Sequence, residues 1–308
     1  MRTQWKKWLL IPVVAALFAA SGCSGGQSTG PATPGTMTLT DQLGRTVSIA
    51  KAPQRIISMA PSNTEILYAL GLGDKIVAVT DYDDYPADVK QKPSIGGFST
   101  PDFETIVSLS PDLIVAANLQ WKDVITQLEA QGVPVLVIDP KTIDQLLDGI
   151  TLVGKATGAT DKAAEVVKGL RKRVDAVVTR NFSSSLPKVL YIVWHDPLMV
   201  AGQGTLIDDM IRTAGGINVG HDLNGYAEMS IESVVSANPE VIIVSKGMGE
   251  GLDAPFQFAQ TDERLKSTDA RVNNRVFPID SNLADRPGPR AIDALEQFAK
   301  LIHPELFK

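Results

Sequence analysis

Short runs of apolar, mostly β-branched residues recur along the chain, commonly bounded by Pro, Gly or Asp. Runs of this kind are typical of strands that are buried on both faces of a largely parallel sheet. Segments with apolar residues at helical spacing lie between them, at 62–70, 142–156 and 205–214. The predicted strands are 55–58, 76–79, 113–116, 133–138, 189–193, 241–244 and 275–279. Strands and helices that alternate in this way predict an α/β fold.

One longer amphipathic pattern covers residues 161–182 and predicts a helix of ~33 Å. Its apolar face consists of Ala163, Val166, Val167, Leu170, Val174, Val177 and Val178. The surrounding segment 151–185 carries seven Lys and Arg against three Asp and Glu, whereas the chain on either side is acidic. We therefore predict a basic connecting helix between an N-terminal lobe, 37–150, and a C-terminal lobe, 186–308. The alternative is one long core helix inside a single domain.

Residues 1–22 have the pattern of an export signal. Three positive residues precede an apolar run, 9–20, that is too short to cross a bilayer as a helix. The small residues 20–22 then precede Cys23, and this arrangement resembles a bacterial lipobox. The resemblance implies that Cys23 is lipidated and that the chain is exported and lipid-anchored to the cell membrane. A buried structural thiol is the alternative. The Gly-, Ser-, Thr- and Pro-rich segment 23–36 predicts a flexible tether.

Composition argues against several classes of protein. The 308 residues carry a net charge of −6, whereas a nucleic-acid binder is typically basic. One cysteine and three scattered histidines are too few for a thiolate cluster or a histidine metal site. The single G-x-S-x-G match, residues 22–26, lies in the predicted leader and tether and not between a strand and a helix, as a hydrolase elbow requires, and the chain has no phosphate-binding P-loop motif. We therefore expect no catalytic residues, no metal and no resident cofactor, and ATP chemistry would belong to a partner.

A repeated unit appears once in each predicted lobe, at a constant offset of 128 residues. Its paired positions are Gly97/Gly225, Phe98/Tyr226, Glu104/Glu232, Ser108/Ser236 and Pro111/Pro239. In each copy a loop aromatic precedes a glutamate that opens a helix. The helix dipole alone favours a glutamate there. Two lobes that each present one carboxylate would also suit a two-fold partner with two basic pockets.

Four segments, in this order and spacing, resemble the substrate-binding lipoproteins of ABC importers, of the helical-backbone class that handles vitamin B12, ferric siderophores and haem. They are 41–47, 55–65, 81–86 and 285–290, together with the repeat. The resemblance implies two Rossmann-like α/β lobes joined by a single long rigid α-helix, with a ligand cleft between the lobes. It also implies a monomer that delivers a small-molecule ligand to an ABC permease dimer with a cytoplasmic ATPase. Glu104 and Glu232 match the family's permease-docking glutamates.

The sequence is most similar to the vitamin B12-binding branch, which implies a corrinoid ligand held by aromatic side chains. Tyr82, Phe98 and Tyr226 match aromatic positions of that branch, and Arg286 matches a cleft arginine. For Arg290, a salt bridge at the start of the last helix is the favoured interpretation. Family tryptophans are replaced by Ala117 and Leu283, and Trp121 is a candidate to compensate.

General physical arguments add four further cleft residues. Trp194 and His195 follow a predicted strand, and α/β sheets bind ligands at strand carboxyl ends. The helix that opens at Ser62 and Asn63 would offer free backbone N–H groups. Ser62 and Glu65 also have the spacing of a capping box.

Two alternatives to a corrinoid importer remain open. A ferric siderophore or haem is the alternative ligand within the same class, and His195, Met59 or Met199 could supply an axial haem ligand. A surface sensor or adhesin that uses the same cleft is the alternative from another class.

Overall fold

The computed structural model describes residues 36–97, 100–117, 122–180, 186–247 and 253–307. The leader 1–22, the tether up to residue 35, Cys23, Phe98 and Trp121 lie outside these ranges. The expectations for them therefore remain predictions.

The N-terminal lobe contains a four-stranded parallel sheet with the order β4-β3-β5-β6. Its strands are β3 (Ile56–Ser58), β4 (Ile76–Ala78), β5 (Leu113–Ala117) and β6 (Val135–Ile138). The helices of this lobe are α1 (Pro61–Ala69), α2 (Phe103–Ser108), α3 (Lys122–Ala130) and α4 (Ile143–Thr157). These elements confirm the predicted α/β alternation, with bounds that differ from the prediction by one or two residues.

A small antiparallel hairpin, β1 (Met37–Thr40) and β2 (Thr46–Ile49), is attached beside β6. The buried Asp41 carboxylate accepts hydrogen bonds from Arg45 within the hairpin turn and from the backbone of Val137 in β6. The backbone N–H of Gln42 donates to the Val137 carbonyl at 3.2 Å. The first family-like segment, 41–47, therefore covers the edge strand of the sheet.

The C-terminal lobe contains a mixed sheet with the order β10-β8-β7-β11-β12, and β9 pairs with the start of β7. Its strands are β7 (Lys188–His195), β8 (Leu198–Ala201), β9 (Ile217–Asn218), β10 (Tyr226–Glu228), β11 (Val241–Lys246) and β12 (Val276–Asp280). Its helices are α6 (Leu206–Thr213), α7 (Ile231–Ala237), α8 (Ala254–Thr261), α9 (Asp269–Val272), α10 (Ser281–Ala284) and α11 (Ala291–Ile302). The strands β7, β11 and β12 are parallel, whereas β8 and β10 are antiparallel to their neighbours.

The connecting helix is α5 (Thr160–Val178), which follows α4 directly. Gly158, with a φ of 76°, ends α4 in the left-handed conformation that glycine adopts without strain. Most of the predicted apolar face is buried or partly buried, but Val178 is 54% exposed. The helix also ends four residues earlier than predicted, because Thr179 is its C-cap.

The largest hydrophobic core runs through both lobes. Successive residues of a strand point to opposite faces of the sheet. Leu113 and Val115 in β5 therefore join the same core as Val189 and Tyr191 in β7, through α4, α5, α6 and α11. Separate smaller cores cover the other face of each sheet. The lobes are joined by shared packing as well as by the connecting helix. Within the described residues, no helix combines the length and apolarity that spanning a membrane requires.

This shared core predicts that the two lobes unfold together. Leu147→Ala removes a side chain of α4 that is 1% exposed, and we expect it to lower the free energy of unfolding by about 2–5 kcal/mol. Urea denaturation followed by hydrogen exchange should show β5 and β7 losing protection in one transition. The exposed Val178→Ala serves as the control and should change the free energy of unfolding by less than about 0.5 kcal/mol. Two separate transitions, with only β5 affected by Leu147→Ala, would contradict a shared core.

Candidate functional site

Two exposed tyrosines project from the loop that follows β4 in the N-terminal lobe. Asp83, which is buried, fixes this loop by accepting hydrogen bonds from the backbone N–H and the hydroxyl of Thr80, at 2.9 and 2.5 Å. The neighbouring residues Tyr82 and Tyr85 are 54% and 48% exposed. The loop therefore presents two aromatic faces at the carboxyl end of the parallel sheet, where α/β proteins bind ligands.

In the C-terminal lobe a carboxylate network connects β7 and β11 to Asp285, the residue that follows α10. The Tyr191 hydroxyl donates to Asp285 Oδ1 at 2.8 Å, and the Ser245 hydroxyl donates to Oδ2 at 2.5 Å. Burial raises the pKa of the Asp285 carboxyl to about 6, although both hydrogen bonds oppose the shift. Burial of the Tyr226 hydroxyl, and after it the Asp285 charge, also raise the pKa of Tyr226. The residue as a whole is half exposed, so its hydroxyl faces inward.

Two arginines of the C-terminal lobe contact the tyrosine loop of the N-terminal lobe. Arg286 Nη1 lies 2.5 Å from Asp84 Oδ1, and its Nη2 donates to the Tyr82 carbonyl oxygen at 3.3 Å. The Arg290 guanidinium carbon lies 4.1 Å from the centre of the Tyr85 ring. Arg286 directly follows Asp285, whose charge contributes to the raised pKa of Tyr226. The segment 285–290 therefore contacts the tyrosine loop of one lobe and interacts electrostatically with Tyr226 of the other.

Arg290 forms the salt bridge that was predicted for it, with Glu65 of the N-terminal lobe as its partner. The predicted capping box is consequently wrong. The N-cap of α1 is Ala60, no side chain caps the helix, and the Glu65 carboxylate faces the other lobe.

The N-terminus of α1 is also less open than predicted. Ser62 and Asn63 are both buried, and the Asn63 backbone N–H donates to the Ala60 carbonyl at 3.0 Å. Gly288 packs directly on Ser62, so the C-terminal lobe covers this turn. The side-chain amide of Asn63 is buried without a hydrogen-bond partner among the described residues. Contacts of Ser62 and Asn63 with a ligand stay a prediction.

Trp194 and His195 lie at the carboxyl end of β7, where they were predicted. The Trp194 indole N–H donates to the Asp196 carbonyl at 3.0 Å, and the His195 ring packs between the rings of Trp194 and Phe258. Both residues are partly exposed. Their described contacts are therefore local to the C-terminal lobe, and their contact with a ligand stays a prediction.

The three candidate axial ligands for haem iron differ in their exposure to solvent. Met59 is 1% exposed within the core of the N-terminal lobe, which places it poorly for haem iron, whereas Met199 and His195 are partly exposed. Within the described residues, no group of three or more His, Cys, Asp or Glu side chains is arranged to hold a metal ion.

Glu104 and Glu232 occupy equivalent positions in the two lobes. Each is the second residue of a short helix, α2 or α7, and each is exposed. The preceding N-cap side chains, Asp102 and Ser230, accept from backbone N–H groups three residues ahead. A groove of about 620 Å³ lies beside Glu104, lined by Phe103, Val107, Ser108, Gln127, Ala130 and Gln131. The sequence repeat therefore corresponds to a repeated structural unit.

The described geometry agrees with comparisons to known proteins. The sequence profile of a family described as periplasmic binding protein matches residues 56–283. The chain belongs to this family of periplasmic binding proteins. It is 31% identical to the ABC transporter substrate-binding lipoprotein YvrC of Bacillus subtilis, over 98% of each chain. This periplasmic binding protein is thus a non-enzymatic, substrate-binding member of the ABC importer class.

Two solved structures are similar in fold and in sequence. The periplasmic vitamin B12-binding protein BtuF of Vibrio cholerae is 28% identical, with a TM-score of 0.72, over 82% of this chain and 98% of BtuF. The periplasmic haem-binding protein RhuT of Roseiflexus sp. RS-1 gives the same identity, TM-score and coverage. The relatives therefore confirm the two-lobe α/β fold and bind more than one kind of large ring ligand.

Three residues of this region, Tyr85, Asp285 and Tyr191, were not predicted as site residues. Tyr85 and Asp285 lie inside the family-like segments 81–86 and 285–290, which could have drawn attention to them. Tyr191 sits in the middle of an apolar run, where only its tertiary contact with Asp285 distinguishes it from a core residue.

The raised pKa of Asp285 predicts a specific dependence of stability on pH. The folded protein binds this proton more tightly than the unfolded chain does, so the free energy of unfolding falls as pH rises from about 4 to about 6. Asp285→Asn should remove up to about 3 kcal/mol of that fall. Urea unfolding of both proteins at pH 4 and pH 8, which enclose this range, measures most of the difference. Asp222→Asn, at an exposed position, controls for the loss of one charge. Equal pH dependence in wild type and Asp285→Asn would show that the carboxyl is not perturbed.

Proposed function

We propose that this binding protein is exported, is anchored to the cell membrane through lipidated Cys23, and captures a corrinoid between its two lobes. It then delivers the ligand to an ABC permease dimer that is driven by a cytoplasmic ATPase. The observation that carries the ligand class is that one segment of the chain, 285–290, interacts with half-exposed tyrosines of both lobes.

The tyrosines support a broad, partly apolar ligand. Tyr82, Tyr85 and Tyr226 each expose about half of their surface. A tyrosine combines a large apolar face with a polar tip, and such side chains are enriched where a partner binds. Covering such surface contributes ~25 cal/mol per Å² of apolar area removed from water. A ligand with a wide ring face can cover several aromatic surfaces at once, and a corrinoid has that shape.

The charges nearby support a ligand with little net negative charge. Arg286 and Arg290 are already paired with Asp84 and Glu65. A carboxylate or catecholate siderophore needs cations to balance its charge, and it would have to displace those partners. This pairing favours a corrinoid over a strongly anionic ligand. Haem remains the second candidate, because the RhuT relative binds it and His195 is partly exposed.

The lipid anchor is supported by the small residues before Cys23 and by the YvrC relative, whose name describes a lipoprotein. Docking onto the permease is supported by the equivalent placement of Glu104 and Glu232. Two carboxylates that are related in this way suit a two-fold partner that presents a basic pocket to each. We expect the binding protein itself to be a monomer.

Ligand titration tests the proposed ligand. Purified protein is titrated with cyanocobalamin, haemin and ferrichrome while tryptophan fluorescence is recorded. We expect saturable quenching by the corrinoid at micromolar concentration or below, and weaker responses to the other two ligands. The absence of a corrinoid response in that range would refute the assignment, and a saturable haemin response would replace it with haem.

Variants connect that binding to the tyrosines. Tyr82→Ala and Tyr226→Ala should each weaken corrinoid binding about tenfold or more, because each removes apolar contact area. Val272→Ala is the matched control, since Val272 is 64% exposed and precedes β12, at the opposite edge of the sheet. Native affinity of both tyrosine variants in titration calorimetry would remove these residues from the site.

Charge reversal separates docking from ligand binding. In the double variant Glu104→Arg and Glu232→Arg, uptake of labelled ligand by cells should be abolished while the affinity of the purified protein stays unchanged. The control reverses two exposed acids of the connecting helix, Asp161 and Glu165, which gives the same change of net charge. Normal uptake by the first variant, or equal loss in the control, would contradict docking through these two glutamates.

A further inference from the structure

A buried ion pair joins the two lobes beside the tyrosines. Glu65 lies on α1, in the second turn after its start, and its side chain is 2% exposed. Arg290, directly before α11 in the other lobe, contacts both carboxylate oxygens. Its Nη2 lies 2.5 Å from Oε1, and its Nε lies 3.0 Å from Oε2. This bidentate geometry fixes orientation as well as distance, because both groups are planar.

Backbone packing encloses the pair. A Cβ atom on Gly288 would lie 3.1 Å from Glu65 Oε2 and 3.3 Å from the Ser62 carbonyl oxygen. The chain of the C-terminal lobe therefore leaves little room beside α1 for a residue larger than glycine. The Tyr85 ring lies against the guanidinium of Arg290. The separation of the lobes at this point is set by direct contact between main chains and by the ion pair.

A second ion pair between the lobes is more exposed to solvent than the first. Arg286 pairs with Asp84, whose side chain is 41% exposed, and Arg286 Nη1 is 4.0 Å from the Glu65 carboxylate. Exposed pairs contribute little because water and salt screen them, whereas breaking a buried pair leaves an unpaired charge out of water. The inner pair, Glu65–Arg290, is therefore the stronger restraint on the lobes.

The lobes are also held together away from the tyrosines. The Asp209 carboxylate on α6 accepts a hydrogen bond from the backbone N–H of Ile143, at the start of α4, at 2.8 Å. Arg173 on the connecting helix pairs with Asp293 and Glu296 of α11 at 2.5 and 2.8 Å. The inner pair on one side and these contacts on the other therefore restrain the separation of the lobes.

We propose that Glu65 and Arg290 are positioning residues that set the width of the ligand cleft before the ligand arrives. This inference rests on the proposed function, since it assigns these residues a role in ligand capture. If most protein molecules already have the lobe separation that fits the ligand, the lobes need not close before the ligand associates. Variants that open the cleft reduce the fraction of molecules in this conformation and thereby slow association. Neither residue has to touch the ligand to have this effect.

Distance measurements without ligand test this role directly. Spin labels are placed at the exposed positions Gln131 and Asn273, one in each lobe, in a Cys23→Ser background, and double electron–electron resonance gives the distance distribution. We expect one narrow distribution in the reference protein and a broader one, extended to longer distances, in Glu65→Gln and Arg290→Lys. Asp84→Asn, which removes the outer pair, is the matched control and should leave the distribution narrow. A narrow distribution in both inner-pair variants, or equal broadening in Asp84→Asn, overturns the proposal.

Binding kinetics distinguish positioning from a purely structural role. At a temperature where circular dichroism shows every variant folded, Glu65→Gln should slow corrinoid association about tenfold and leave the dissociation rate within about twofold. Unchanged association by a folded Glu65→Gln variant overturns the positioning role. If the unsubstituted protein does not bind corrinoid, the proposed function fails, and the ligand-free distances still decide whether the inner pair sets the separation of the lobes.

Discussion

A carboxylate that is buried away from water needs a positively charged partner. In this protein such a carboxylate and its partners lie at the contact between the lobes. Glu65 is supplied by one lobe, and the arginines that neutralise it, Arg290 and Arg286, are supplied by the other. Burial raises the pKa of the Glu65 carboxyl even though both arginines oppose that shift, so the cost of removing it from water is large. Replacing either partner while the lobes stay in contact would leave a charge without its counterion in a poorly hydrated place.

The same contact organises the candidate ligand site. The short segment 285–290 carries Asp285, which accepts a hydrogen bond from Tyr191 and whose charge acts on Tyr226. It also carries both arginines that contact the tyrosine loop of the N-terminal lobe. This one segment therefore interacts with the tyrosines of both lobes. Together with the hydrophobic core that continues through both lobes, this segment ties the candidate site to contacts that restrain the lobes.

Much of the architecture could be predicted from the sequence, because local pattern carries it. Strands buried on both faces appear as short apolar runs, and all seven predicted strands are present. The repeat placed Glu104 and Glu232 correctly because a helix start depends mainly on nearby residues. The Ser62–Glu65 spacing led to a wrong prediction of a capping box, because the Glu65 carboxylate instead pairs with an arginine 225 residues away. The sequence also did not show that Tyr191 contacts Asp285 or that Val178 is exposed, because both depend on which distant residues pack against them.

Small-angle X-ray scattering of the unsubstituted protein, with and without saturating ligand, tests the central claim most directly. If the shared core and the buried ion pair hold the lobes at one separation, the radius of gyration should be the same in both states within experimental error. A clear decrease when the ligand binds would show that the lobes close around it, and it would contradict a cleft whose width is fixed in advance.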